Sequence, residues 1–130
     1  MGLLLFLIYI NDISTNIQSN CYLYANDTSL FQVVNDPSLT AASINQDLIR
    51  IQSWARDWLV TINAGKTKST IFSTKRNKPQ HQPRFYDNAH IDDVYSHKHL
   101  GVTLSSNLSW KPHILNIYEK ATKFFEGIKI

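Results

Sequence analysis

The chain has one cysteine, Cys21, and only four glycines and four prolines in 130 residues, and charged residues make up just 18% of it. A single cysteine closes no internal disulfide, so a disulfide scaffold is excluded and nothing points to an oxidising compartment. So little glycine and proline, beside 43% apolar residues, excludes collagen-like and low-complexity chains. Long apolar runs are lacking as well. The longest, Gly2 to Ile10, stops at Asn11 and Asp12, short of the roughly 20 residues that span a bilayer, so no membrane partner is expected. No Lys or Arg follows Met1 and no small-x-small cleavage pattern precedes Asn20, which argues against a secretory leader. An intracellular protein, cytoplasmic or nuclear and not secreted, is the expectation. The triplets Asn26-Asp27-Thr28 and Asn107-Leu108-Ser109 then match glycosylation acceptors by spelling only.

What is present suffices for one globular core, because a chain of this length buries about two-thirds of the surface its unfolded form exposes. The net charge of +3 is unevenly spread. Residues 1–63 set two arginines against five aspartates, a net −3, and residues 64–130 set eleven Lys and Arg against five acids, a net +6. A basic half of this kind fits contact with polyanions, although solvated faces give similar counts.

Hydrophobic patterning gives the elements. Leu3 to Ile10 is apolar on every side, which for a helix calls for burial against several neighbours. Cys21 to Ala25 and Thr28 to Val34 are aromatic and β-branched runs about Asn26-Asp27, two turn formers, and read as a β-hairpin. Asp36, Pro37 and Ser38 are capping residues ahead of Ile44, Leu48, Ile51, Ala55 and Trp58, whose steps of four and three mark an amphipathic helix. Its far face carries Asn45, Asp47, Arg50, Arg56 and Asp57 and is expected to meet water. Val60 to Asn63 and Ser69 to Ser73 read as a second hairpin with lysines at its mouth. Gly65-Lys66-Thr67 is no phosphate loop, because that motif needs a glycine where Val60 stands. Thr74 to Pro83 is polar, basic and interrupted by proline, hence an exposed loop. Arg84 to Tyr86, Ala89 to Ile91 and Val94 to Leu104 follow as short strands about Asp87-Asn88 and Asp92-Asp93. A last helix carries Trp110, Ile114, Ile117, Ala121, Phe124 and Ile128 at helical spacing. Of the five histidines, His81, His90, His97, His99 and His113, only His97 and His99 share a strand face. No cysteine stands near them and no His-x-x-x-His pair occurs, so a zinc site is not expected.

The order of these pieces resembles the reverse transcriptases of non-LTR, LINE-type or jockey-like retrotransposons. Gly2 to Ile13 looks like the helix after their Gly-Pro-Leu-Leu-Phe element, with Leu3 where the family usually has proline. Tyr24-Ala25-Asn26-Asp27-Thr28 resembles their aromatic-Ala-Asp-Asp-Thr hairpin. Trp54 to Asn63 with Lys66-Thr67-Lys68 resembles the segment after it. His97 to Leu104, with Leu108 to Ile114, resembles the junction from palm to thumb.

The resemblance implies an α+β fold: a partial polymerase palm, with an antiparallel sheet built from the Cys21–Val34 hairpin and the Val60–Ser73 strands and backed by helices, then short strands and a thumb-type helix. It divides the chain into a partial palm over 1–74, a basic loop and short strands over 75–93, and the palm-to-thumb junction with the first thumb helix over 94–130. It implies RNA-templated DNA synthesis by two-metal nucleotidyl transfer, with Mg²⁺ or Mn²⁺ as cofactor. An RNA template, a DNA primer and the fingers and upstream palm of the full polymerase would be its partners. Two divalent ions about 3.5–4 Å apart activate the primer hydroxyl and stabilise the leaving pyrophosphate, and Mg²⁺ wants hard anionic oxygen ligands. Asp27 matches one hairpin ligand, but Asn26, a neutral amide, holds the position of the family's first hairpin aspartate. The family's other aspartate lies upstream of the element in which this chain begins. The chain is therefore expected to be inactive as a polymerase. Lys66 matches a lysine that approaches the triphosphate as a general acid in related polymerases, or is an exposed turn residue. Lys68, Lys98, Lys111, Lys120 and Lys123 are candidates for sequence-independent phosphate contact. The rival readings are a non-catalytic nucleic-acid-binding module and a decayed element without function.

Overall fold

A computed structural model describes residues 2–128, the side chains of Leu3 and Ile128 excepted. In chain order the elements are α1 (Leu3–Ile10), a 3₁₀ turn (Asn11–Ser14), β1 (Asn20–Tyr24), β2 (Asp27–Phe31), α2 (Pro37–Asp57), β3 (Lys68–Ser69), β4 (Arg84–Tyr86), β5 (Ala89–Asp93), β6 (Ser96–His99), β7 (Val102–Ser105) and α3 (Lys111–Ile128). This mixture of helices and small sheets accords with the α+β class. The chain forms two compact units. The first runs to Thr67 and adds Pro79–Ile91, and the second joins Lys68–Lys78 to the chain from Asp92 onward.

The first unit is organised by α2. Asp36 caps it, accepting the Leu39 N–H at 2.9 Å, and Pro37 occupies the first turn, where its missing N–H costs nothing. The stripe expected from the four-and-three spacing is the core: Leu48 and Ile51 are buried with Ile13, Tyr86 and Ile91, and Ile44, Trp54, Leu23, Leu30 and Ile62 pack around them. The β1–β2 hairpin forms as expected, antiparallel, with Tyr24 opposite Asp27. Its two-residue turn is Ala25–Asn26, with Ala25 at φ +51°, and Asp27 already belongs to β2. The β4–β5 hairpin also forms, through Asp87 and Asn88 at φ +49° and +60°, as a tight turn with two left-handed residues requires. The side chain of Asn45 serves β4, donating from Nδ2 to the Pro83 carbonyl at 3.1 Å and accepting the Phe85 N–H on Oδ1 at 3.2 Å.

Three expectations are corrected in this unit. Asp47 does not meet water: it has no exposed surface at all. Its Oδ1 accepts the Gln18 N–H at 2.9 Å and an Arg50 guanidinium N–H at 3.0 Å, and its Oδ2 accepts the Ser19 N–H at 2.7 Å and the Ser19 hydroxyl at 2.5 Å. Gln32 Nε2, just beyond β2, donates to both Ser19 Oγ and Ser43 Oγ at 2.9 Å. The second expected hairpin is absent. Leu59 turns the chain out of α2 at φ +55°, Val60 sends its N–H back to the Ala55 carbonyl, and Ile62 and Ala64 go into the core, so 60–63 forms no ladder. The helix α1 is not enclosed either. Leu4, Leu5 and Ile8 are 72%, 58% and 65% exposed, and among its described side chains Phe6 and Tyr9 are partly buried and Ile10 is buried. Tyr9, whose hydroxyl donates to the Trp58 carbonyl, ties α1 to the end of α2.

In the second unit, β3 pairs parallel with the end of β5, Lys68 beside Asp92 and Ser69 beside Asp93. Ser73, Tyr95 and Ser106 are joined by backbone hydrogen bonds. The β6–β7 hairpin turns through Leu100 and Gly101, both at positive φ. The helix α3 starts where the Ser109 hydroxyl accepts the Lys111 N–H. Its apolar stripe faces outward, since Trp110, Ile114, Ile117 and Phe124 are all more than half exposed. Half-buried Pro112, His113 and Asn116 lie on another side of the helix.

Burial of the Asp47 carboxylate opposes its charge, but the Ser19 hydroxyl, the Gln18 and Ser19 amides and Arg50 outweigh that and hold its pKa below the ordinary carboxylate value. Asp47→Ala should lower unfolding free energy by about 3 kcal/mol, because it strands buried donors; urea denaturation measures this. With a lowered folded-state pKa, the stabilisation is complete above the unfolded value of about 3.9 and is lost as pH falls through the folded value. Asp47→Asn should flatten that acid limb. Leu59, at left-handed φ and 92% exposed, packs on little, so Leu59→Gly should raise stability by about 0.5–1 kcal/mol in the same assay.

Candidate nucleic-acid interface

In the first unit the residues matched to polymerase chemistry sit about one hairpin tip and one turn. Asn26 and Asp27 are both exposed, the former in the turn and the latter opening β2 beside Tyr24. The hairpin is fixed at its other end, where Ser19 and Gln32 meet the Asp47 network, so its tip is held by the anchor some five residues away along each strand. Among the described residues no group of three or more His, Cys, Asp or Glu side chains is placed to hold a metal ion. Lys66 is exposed in a turn whose geometry comes from Asn63: the Lys66 N–H goes to the Asn63 carbonyl at 3.2 Å and to its Oδ1 at 3.1 Å.

The candidate lysines for phosphate contact all lie in the second unit, but they are not equivalent. Lys68 is engaged by a carboxylate, its Nζ standing 2.7 Å from Asp92 Oδ2. Lys111 opens α3 and Lys123 lies further along it, both exposed. Lys98 and Lys120 are brought together from β6 and α3, 22 positions apart in the sequence. The Lys98 side chain, within hydrogen-bonding reach and carrying like charge, pushes the pKa of fully exposed Lys120 below the ordinary lysine value. Charge follows the same division. The first unit sets four basic residues against six acidic ones, a net −2, and the second sets nine against four, a net +5.

Sequence reasoning missed two contributors. Asp92, adjacent to Lys68 in the sheet, neutralises one of the candidate lysines, and only the parallel pairing of β3 with β5 reveals it. His113, weighed only as a metal ligand, instead accepts the Thr103 N–H of β7 on Nδ1 at 3.1 Å and lies edge-on to Trp110. Its position seven residues before Lys120, two helical turns on one face, was the available signal.

Membrane insertion finds no support in the helices: none among the described residues is long and apolar enough to cross a bilayer. The chain matches no protein-family model, and no solved structure matches it. It is 28% identical over 91 residues to the probable RNA-directed DNA polymerase from transposon BS of Drosophila melanogaster, a match covering 70% of this chain and 10% of that protein. It is 26% identical over 122 residues to the probable RNA-directed DNA polymerase from transposon X-element of the same organism, covering 90% and 13%. Against the RNA-directed DNA polymerase from mobile element jockey, also of D. melanogaster, it is 30% identical over 97 residues, covering 74% and 10%. The chain thus spans about a tenth of the length of the curated relatives it matches. Over that tenth the chain is similar to the RNA-directed DNA polymerases of non-LTR retrotransposons.

Proposed function

We propose that this chain is a palm-to-thumb piece of a retrotransposon reverse transcriptase that contacts nucleic acid through its second unit and does not itself polymerise. The observation that carries the first half is the net charge of +5 of that unit, with Lys98, Lys111, Lys120 and Lys123 exposed on it. Contacts of this kind are sequence-independent and strengthen as salt is lowered, because each neutralised phosphate releases counterions. The first unit corresponds to the palm, and its β1–β2 hairpin to the one that carries the paired aspartates in the family.

The second half rests on ligand chemistry. A two-metal site needs several anionic oxygens converging on the ions. Here the tip offers one carboxylate, Asp27, beside the neutral amide of Asn26. Lys66 would act on a triphosphate only where further carboxylates complete such a site.

Primer extension on an RNA template with Mg²⁺ or Mn²⁺ should give no incorporation above a no-enzyme control, and Asn26→Asp alone should not change that. Template-dependent extension by either protein would overturn the non-catalytic reading. For binding, replacing Lys98, Lys111, Lys120 and Lys123 together by Gln should weaken association with a single-stranded RNA of about 20 nucleotides and lower the salt slope by roughly 3, at about 0.7 for each phosphate that is no longer neutralised. An unchanged slope, read by fluorescence anisotropy across a salt series, would remove these lysines from the interface.

A further inference from the structure

The β6–β7 hairpin is a two-stranded sheet, so β7 has a free edge whose outward N–H groups lack a strand partner. One of them, that of Thr103, is taken by His113 Nδ1 at 3.1 Å in a partly buried bond. An imidazole that accepts on Nδ1 is neutral and carries its proton on Nε2. His113 is the third residue of α3 and follows Pro112, so this bond fixes the helix at its start, where Ser109 Oγ also holds the Lys111 N–H. Lys120 lies two turns further along the same face, and Lys98, to which it is drawn close, is the residue directly opposite Thr103 in the β6–β7 ladder.

We infer that His113 is a positioning residue: its neutral imidazole pins the start of α3 to the edge of β7 and thereby sets Lys120 beside Lys98. The side chain does two jobs that no other candidate does. It satisfies an edge donor that would otherwise be lost to water, and it fixes the rotation of α3 about its axis, which decides where Lys120 projects. Trp110, with its ring 6.0 Å from that of His113, braces the imidazole from the helix side. A protonated His113 has no lone pair for Thr103. The charged and titratable groups on the elements about it are His97, Lys98 and His99 on β6 and Lys111, Tyr118, Glu119, Lys120, Lys123 and Glu126 on α3, with none on β7. That the pair grips nucleic acid rests on the reading proposed above; the pin does not.

The test uses the 130-residue chain labelled with ¹⁵N. Near pH 7.5 the His113 nitrogen shifts should report the Nε2–H tautomer, and the Thr103 amide should be protected from exchange. His113→Gln, whose acceptor lies too far out, should lose about tenfold in Thr103 protection, while His113→Asn, whose Oδ1 stands near the place of Nδ1, should keep it. The RNA salt slope should drop by about 0.7 in His113→Gln, as expected when one single-strand phosphate is no longer neutralised, and be restored in His113→Asn. A wild-type imidazole with its proton on Nδ1 overturns the inference without any variant. So does equal Thr103 protection in the wild type and His113→Gln. If the wild type binds no RNA at all, the nucleic-acid reading fails, and the Thr103 measurement still decides the pin.

Discussion

The first unit depends on one buried carboxylate. Asp47 sits on α2 without any exposed surface and gathers the Gln18 and Ser19 amides, the Ser19 hydroxyl and Arg50. The chain enters β1 through the two residues it holds, and the exit from β2 is fixed one bond further out, where Gln32 reaches Ser19 and Ser43. A hairpin of two five-residue strands is marginal by itself in water. Here its apolar face, Leu23 and Leu30, packs on the core while its open end is clamped by charge-assisted bonds. The direction in which Asn26 and Asp27 project is therefore set at the opposite end of the hairpin from their own turn.

That anchor was invisible to pattern reading for a physical reason. Aspartate is almost never buried without partners, so its place among Asn45, Arg50 and Arg56 assigned it to water. Its partners are backbone N–H groups of a loop 28 and 29 residues earlier, and nothing in composition marks those. The features that were legible are local ones. Asp36-Pro37-Ser38 encodes a helix start, the steps of four and three encode the buried stripe of α2, and Asp87-Asn88 encodes a turn of two left-handed residues. Each depends on neighbours within a few positions. The expected hairpin over 60–73 failed because its strands had better offers elsewhere: Ile62 and Ala64 pack into the core, and Lys68 and Ser69 pair with Asp92 and Asp93. The candidate interface was legible by residue type only. Five lysines could be named, but their sorting into one neutralised by Asp92 and two set against each other required pairings 24 and 22 residues apart.

The exposed apolar surfaces are the reverse case, in which the pattern is clear and this chain does not use it. The helix α1 is apolar on all sides, and α3 carries a stripe from Trp110 to Phe124, yet both leave these residues largely in water. Single exposed apolar residues need no explanation, but contiguous ones do. The chain spans about a tenth of the length of the curated relatives it matches, and its apolar patterning at α1 and α3 exceeds what its own packing buries.

Charge divides the molecule along the same line as its packing. The unit that carries Asn26 and Asp27 is net negative, and the unit that carries the lysine pair is strongly positive. For chemistry on a polyanion this separation is coherent. Long-range attraction falls off over a Debye length of about 8 Å at physiological ionic strength, so exposed basic groups act chiefly on the phosphates they touch. Phosphate contact needs charge and rough placement, whereas a metal site needs several anionic oxygens converging on the ion. On the reading proposed above, binding is the less demanding of the two, so a neutral Asn26 at the hairpin turn is compatible with a basic second unit.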